Sequence, residues 1–254
     1  INYMNICLFS QEEINQPLSI KDERGQHILK VLHKKVGDSF TAGIIDGKSG
    51  LAKITSIDDS TITFVFNADG EGKPLTCLRM IIGFPRPIQL KRLLRDIAAL
   101  GVSQVHLTGT ELGEKSYMQS NLIEKGSAYK MLLDGSVQAG STHIPQLFLH
   151  KTLKECLEAC QCHNEDSVKF ALDNINPKAS LQNALTQTCD SSSSCKEKPV
   201  YAAIGSERGW TDKERKMLED YGFIRCGMGS RIMRTETAAT VAGSIILNKL
   251  GYLD

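Results

Sequence analysis

Hydrophobic and polar positions change rhythm once along this chain, near Pro74. Before it, the pattern is that of short strands. Thr61-Ile62-Thr63-Phe64-Val65-Phe66 alternates with a period of two, the spacing of a half-buried strand. Ser39–Ile45 and Leu51–Ile57 are rich in β-branched and aromatic residues, and Gly37-Asp38, Asp46-Gly47, Ser49-Gly50 and Asp58-Asp59 are turn signals between them. His27–Leu32 has room for one helical turn, and Asp69–Pro74 reads as a linker. Residues 1–72 are therefore expected to form a small β-barrel or sandwich. Beyond Pro74 strands and helices alternate. Leu78–Phe84, Val102–Leu107, Val168–Leu172, Pro199–Gly205 and Phe223–Met228 have strand length and composition. Helices are expected over Ile88–Leu100, where Leu90, Leu93, Leu94, Ile97 and Ala98 fall on one face, over Leu122–Asp134, and over Thr235–Lys249. Thr152-x-x-Glu155 and Thr211-x-x-Glu214 have capping-box spacing and open two more, the second ending at Gly222. Cys189–Lys198, with four consecutive serines, is a polar loop. Alternation of this kind predicts an α/β domain over 73–254, with a mostly parallel sheet between helices.

Composition narrows the classes without changing this picture. The 254 residues are 41% hydrophobic and 23% charged, enough apolar material for a real core. No apolar run approaches the ~20 residues of a membrane span. The first ten residues lack the basic and long apolar regions of a secretion signal, and Met4 is the expected start of translation. A soluble cytoplasmic protein is the expectation. The net charge is +1, divided into −3 over residues 1–72 and +4 over 73–254, so any contact with nucleic acid must come from local patches. The eight cysteines are scattered, as suits a reducing compartment. Cys156, Cys160, Cys162 and His163 cluster in sequence but match no common zinc spacing, and no metal is expected.

Two segments in the last quarter carry candidate chemistry. Ala203–Trp210 leaves an apolar strand through Gly205 and Gly209 and enters a capped helix. In open α/β sheets ligands bind beyond the carboxyl ends of strands, where glycines let backbone approach them. A plain strand-to-helix turn is the competing reading of that segment alone. Met228–Ala239 repeats the arrangement: a strand ends at Gly229, two arginines and a glutamate crowd the loop, and a helix rich in small residues follows. No dinucleotide-binding or P-loop glycine pattern, metalloprotease His-Glu pair or G-x-S-x-G elbow occurs, which removes the common phosphate-cradling and acyl-transfer classes.

At these residues the chain resembles a known family. Ile204-Gly205-Ser206-Glu207-Arg208-Gly209 is similar to the I-G-P-E-G-G loop of the RsmE family, and Met228–Ala239 is similar to its L-G-x-R-I-L-R-T-E-T-A-A run. His27–Leu32 with Val36-Gly37-Asp38 resembles its H-x-x-x-V-L-R…V-G-D pattern, and Ala99–Val102 its E-L-G-V. Ser206, Arg208, Ala99 and His33 depart from that pattern, as does Ser141, where the family tends to have arginine. The resemblance implies a PUA-like β-barrel over 1–72 and a SPOUT methyltransferase domain with a C-terminal trefoil knot over 73–254. It also implies a homodimer, S-adenosylmethionine as cofactor, and N3 of a uridine in 16S rRNA of the small ribosomal subunit as the methyl acceptor. Carried over residue by residue, it places the cofactor at Leu172, Ile204, Gly205, Glu207, Gly209, Met228, Gly229, Ile232, Met233 and Thr235. Arg234 is the candidate for stabilising an anionic uracil. Glu236 either orients Arg234 or is a helix-start carboxylate favoured by the dipole. Lys30, Lys34, Lys35, Arg86, Arg92 and Arg231, with Lys91 and Arg95 beside them, are candidates for RNA contact. The same fold without catalysis, and methylation at another RNA position, remain open alternatives.

Overall fold

A computed structural model describes residues 5–118, 126–162, 166–189 and 195–253. The chain divides into two compact units, residues 1–74 with 133–144, and residues 75–132 with 145–254.

The first unit is a curled five-stranded sheet in the order β1-β3-β4-β5-β2. Its strands are β1 (Cys7–Phe9), β2 (Leu18–Ser19), β3 (Ser39–Ile44), β4 (Ser49–Ile57) and β5 (Thr61–Gly70). The period-two residues of β5 behave as their spacing requires: Ile62 and Phe64 are buried while Val65 faces solvent. They meet Phe40, Ala52 and Ile54 from the neighbouring strands and Phe9 from β1. The Phe64 ring lies 5.2 Å from Phe9 and 5.5 Å, edge-on, from Phe40. Asp22 caps a short helix, α1 (Glu23–Gln26), by accepting the Arg24 N–H. A π-helical turn follows over His27–Val31, where one helical turn was expected, and inserts Ile28 into the core. Arg24 covers the Phe9 ring at 4.6 Å and is held there by Asp22 and Glu13. Ser141, at the position of the family's arginine, is buried and accepts the His143 N–H.

The second unit is built on a seven-stranded sheet in the order β10-β12-β9-β11-β6-β7-β8, every neighbouring pair parallel. In chain order it contains β6 (Leu78–Gly83), α2 (Pro87–Ala99), β7 (Gln104–Thr108), a short α3 (Lys115–Met118), α4 (Ser127–Ala139), which continues into the first unit, β8 (Gln146–His150) and α5 (Leu153–Ala159). There follow β9 (Val168–Leu172), β10 (Ala179–Ser180), α6 (Leu181–Thr188), β11 (Val200–Ile204), α7 (Asp212–Asp220), β12 (Ile224–Gly227) and α8 (Thr235–Lys249). The central β11 is buried at all five positions, the signature of a strand covered on both faces.

Several expectations are corrected. The helix expected over Leu122–Asp134 falls partly outside the described residues, and α4 runs on to Ala139. β8 was not foreseen, because an edge strand with mostly exposed positions shows no alternation. Nor was α6, whose buried Leu181, Ala184 and Leu185 have helical spacing behind the Ser180 cap. The Thr211 capping box forms in full, whereas the Glu155 carboxylate accepts the Lys151 N–H instead of closing a box on Thr152. The cysteines are not all free: Cys189 and Cys195 form a disulfide with Cα atoms 5.8 Å apart, an ordinary separation for such a bond.

The small residues of α8 serve packing inside the unit. Ala238, Ala239 and Ala242 are buried, and α8 lies against α2, β6 and β11. A Cβ at Gly243 would stand 2.9 Å from Met80 Cε and 3.2 Å from Leu100 Cδ1. Gly243→Leu should therefore destabilise the protein by about 1–3 kcal/mol through overpacking. Gly243→Ala should fall within ~1 kcal/mol of the parent, because Met80 is flexible and alanine favours helix. Urea unfolding of the two variants side by side checks the contrast.

Candidate active site

Three strand ends meet in register. Leu172 of β9 lies between Ile204 of β11 and Cys226 of β12. Beyond them is a cavity of about 280 Å³, floored by these three residues and walled by the loops that follow β9, β11 and β12. Its position is the one at which parallel sheets bind ligands.

The loop after β11 is a tight turn. The Gly209 N–H donates to Ser206 O at 2.9 Å, and Gly209 has φ +72°. Buried Trp210 anchors the far end by donating its indole N–H to the Leu172 carbonyl at 3.2 Å. Ser206 is also buried, and its hydroxyl accepts from Thr110 at 3.0 Å, so the residue that departs from the family pattern is tied into the sheet. Glu207 faces away from the turn, and its carboxylate accepts the Arg86 N–H at the start of α2, 2.8 Å away. The loop after β12 turns at Gly229, with φ +99° and open space in the direction a Cβ would take. Gly209 has the same open space. Backbone at both glycines is thus bare toward the cavity side.

All ten residues expected to hold the cofactor line this one cavity: Leu172, Ile204, Gly205, Glu207, Gly209, Met228, Gly229, Ile232, Met233 and Thr235. Arg231, an RNA candidate, lines it too. Arg234 does not; it is exposed at the N-cap of α8 and, among the described residues, forms no ion pair. Glu236 is not paired with Arg234. It lies near Asp96 of α2, whose carboxyl is raised by burial, lowered by Arg92 and Arg95, and raised in part by Glu236. Lys30, Lys34 and Lys35 share one segment of the first unit with the exposed apolar residues Leu32 and Val36. Arg86 and Arg92 are exposed at and along α2.

Sequence reasoning missed a charged pair in the cavity wall. Asp173, immediately after Leu172, and Arg215, in the first turn of α7, both line the cavity and are nearly buried. Arg215 Nε donates to Asp173 Oδ2 at 2.6 Å and Nη1 to Asp212 at 2.8 Å. Asp173 also accepts the Ile175 N–H at 3.0 Å. The available signal was an aspartate directly beyond an apolar strand, a place where a carboxylate must find a partner. Arg215 gave none, because a charged residue on a polar helix reads as solvated.

The arrangement is that of an α/β RNA methyltransferase preceded by a PUA domain, and the chain belongs to the RNA methyltransferase family. The family's RNA methyltransferase domain matches residues 72–247, and its PUA domain matches residues 20–67. The chain is 40% identical over 248 residues to the ribosomal RNA small subunit methyltransferase E of Treponema pallidum (strain Nichols), covering 96% of this chain and 91% of that one. It is 30% identical to ribosomal RNA small subunit methyltransferase E 1 of Borreliella burgdorferi, over 97% and 99% of the two chains. Among solved structures, the Neisseria gonorrhoeae ribosomal RNA small subunit methyltransferase E bound to S-adenosyl methionine shares the fold, with a TM-score of 0.74 at 17% identity, covering 97% and 98%.

The Asp173–Arg215 pair generates a prediction about the wall itself. Asp173→Ala leaves Arg215 with only the exposed Asp212 and frees the Ile175 N–H. Breaking a fully buried pair costs ~3–5 kcal/mol, and the remaining partner reduces this to about 1–3 kcal/mol. Asp173→Asn, which keeps an acceptor for Ile175, should lose less. Urea midpoints rank the variants, and equal midpoints for all three proteins would contradict this account.

Proposed function

We propose that this chain uses S-adenosylmethionine to methylate N3 of a uridine in the 16S rRNA of the small ribosomal subunit, acting as a homodimer in the cytoplasm. The observation that carries the reading is the convergence of all ten expected cofactor residues on one cavity at the ends of β9, β11 and β12. The relatives named as small-subunit methyltransferases support the substrate class.

The cavity fits the cofactor in kind. Leu172, Ile204 and Met233 offer apolar walls, and the bare backbone at Gly209 and Gly229 offers amides and carbonyls without a side chain in the way. When bound, S-adenosylmethionine supplies an electrophilic methyl group on a positively charged sulfur. The chain's own work is alignment and exclusion of water, and positioning accounts for up to ~7–11 kcal/mol of barrier lowering in such reactions. Loss of the N3 proton leaves negative charge on the uracil oxygens. A guanidinium cannot act as a base, and Arg234 makes no cap hydrogen bond to α8, so its guanidinium is available to stabilise that charge. Glu236 acts in this reading as a helix-start carboxylate.

RNA is held through local cations. Lys30, Lys34 and Lys35 beside Leu32 and Val36 form the contact surface of the first unit, with Arg86, Arg92 and Arg231 contributing from the second. A net-negative first unit contacts few phosphates, so the assembled subunit is a better substrate than naked RNA. Dimer formation is supported by two exposed isoleucines. Ile232 is 84% exposed in the cavity lining, and Ile88 is 64% exposed two residues beyond Arg86. The buried stripe of α8 gives it no support, because it is consumed within the unit.

Gly229→Val puts a side chain where the backbone must be bare. It should weaken S-adenosylmethionine binding by about tenfold or more, ~1.4 kcal/mol or above, while the protein stays folded. Calorimetric titration alongside circular dichroism measures both, and unchanged affinity sinks the cofactor assignment.

Arg234→Lys keeps the charge and loses the planar fork. Cofactor affinity should stay within a few-fold, and single-turnover methylation of small subunits should fall by about 10²–10³. Mass spectrometry of nucleosides from the reacted rRNA reports the modified position at the same time. A product other than N3-methyluridine overturns the substrate assignment, and an undiminished rate overturns the role of Arg234.

A further inference from the structure

Away from the cavity, near the β8 edge of the sheet, lies a cluster of side chains that methyl transfer does not use. His106 on β7 stacks on Phe148 of β8, with ring centroids 4.7 Å apart, and lies beside the ring of His150. The last turn of α5 brings Cys156 and Cys160, four residues apart, to the same place. His106, His150 and Cys156 are all buried, and their ligand atoms lie within 4.8 Å of one another. His106 Nδ1 stands 3.1 Å from His150 Nε2 and 3.4 Å from Cys160 Sγ.

The hydrogen bonds around His106 orient its lone pair. Gln104 Nε2 donates to Gln146 Oε1 at 3.2 Å, which leaves Gln104 Oε1 as the acceptor facing His106 Nε2 at 3.3 Å. The His106 proton therefore resides on Nε2, and Nδ1 presents its lone pair toward His150 and the thiols. A metal-bound histidine is held in this way, with its outer nitrogen donating to an oxygen. The two shortest separations, 3.1 and 3.4 Å, lie near what such a site needs. Tetrahedral bonds of ~2.0–2.1 Å to nitrogen and ~2.3 Å to sulfur put ligand atoms about 3.3–3.8 Å apart. We propose that His106, His150, Cys156 and Cys160 form a structural site for a zinc-class divalent cation, clipping α5 to β7 and β8. This revises the expectation of no metal drawn from cysteine spacing. Two of the ligands lie on strands that linear spacing does not connect to the cysteines.

The chemistry suits a soft, redox-inert ion. Two imidazoles and two thiolates are a tetrahedral set of the kind zinc takes. Histidine binds a metal as the neutral imidazole, through a ring nitrogen that carries no proton. Free cysteine thiols are mostly protonated near neutral pH, and a metal takes them as thiolates. Binding then exchanges two S–H protons for one M²⁺, and the completed site is neutral. Rotation of the Cys160 side chain, already in contact with His106, closes the fourth corner.

The test uses the full chain, reduced and freed of metal, titrated with Co²⁺. One Co²⁺ per chain should bind with the visible absorption of a tetrahedral thiolate complex, be displaced by Zn²⁺, and release about two protons per metal near neutral pH. Cys156→Ser/Cys160→Ser should abolish the absorption, while Cys189→Ser/Cys195→Ser, which removes the disulfide pair, should retain it. Proton release from the unmutated chain gives a readout that does not depend on either variant folding. The proposal is overturned if the reduced chain gives no Co²⁺ absorption, if the signal survives loss of Cys156 and Cys160, or if metal binds without proton release.

Discussion

Backbone meeting backbone at the ends of β6 and β11 is the contact on which the active-site half of the molecule depends. A Cβ on Gly83 would lie 3.0 Å from the carbonyl carbon of Gly205, and one on Gly205 would lie 2.9 Å from that of Gly209. Neither neighbour is a flexible side-chain end, so no repacking relieves such a clash. The loop after β11 therefore folds tightly over the sheet. Ser206 and Thr110 meet across the gap because the chains are that close. Trp210 reaches back to the Leu172 carbonyl for the same reason. The glycines around this end of the sheet thus divide their labour: Gly83 and Gly205 permit the fold, and Gly209 and Gly229 leave backbone bare beside the cavity.

The cavity wall is also electrostatically organised. Asp173 is almost fully enclosed, with Arg215 Nε against one oxygen and the Ile175 N–H against the other. Arg225 Nη1 stands 3.9 Å from Asp173 Oδ2, and Arg225 is itself held by Glu219. This chain of alternating charges fixes the first turn of α7 relative to the end of β9. Two of the strand-to-helix connections that shape the cavity are then immobilised by different means, one by glycine contact and one by ion pairing.

Much of this was legible in the amino-acid order, and what was not has identifiable causes. The bounds of α8 and the burial of Ile62 and Phe64 follow from periodicity, which depends only on the local chain. The cavity-lining residues were reachable because the ten named lie in two continuous segments plus Leu172, at the ends of apolar strands. β8 was hidden because an edge strand carries no burial pattern. Arg215 and Asp173 lie 42 residues apart, and only the parallel arrangement of the sheet makes them partners. The meeting of His106 and His150 with Cys156 was hidden for the same reason, since strand register brings them together. Glu236 was linked to Arg234 by adjacency in sequence, whereas on the helix it turns toward α2.

The Glu207 carboxylate accepts the N–H of Arg86, the N-cap residue of α2, although Glu207 belongs to the loop that borders the cavity. α2 in turn packs along α8, whose own start carries Arg234. A ligand that steadies the Glu207 loop therefore also steadies the opening turn of α2. By thermodynamic reciprocity, whatever binds and orders that turn must raise affinity in the cavity by an equal free energy. Arg86 and Ile88 are the exposed residues of that turn, so a macromolecule gripping them would be sensed by the cofactor loop through a single hydrogen bond. A small molecule in the cavity and a macromolecule on that turn would then be coupled through one carboxylate.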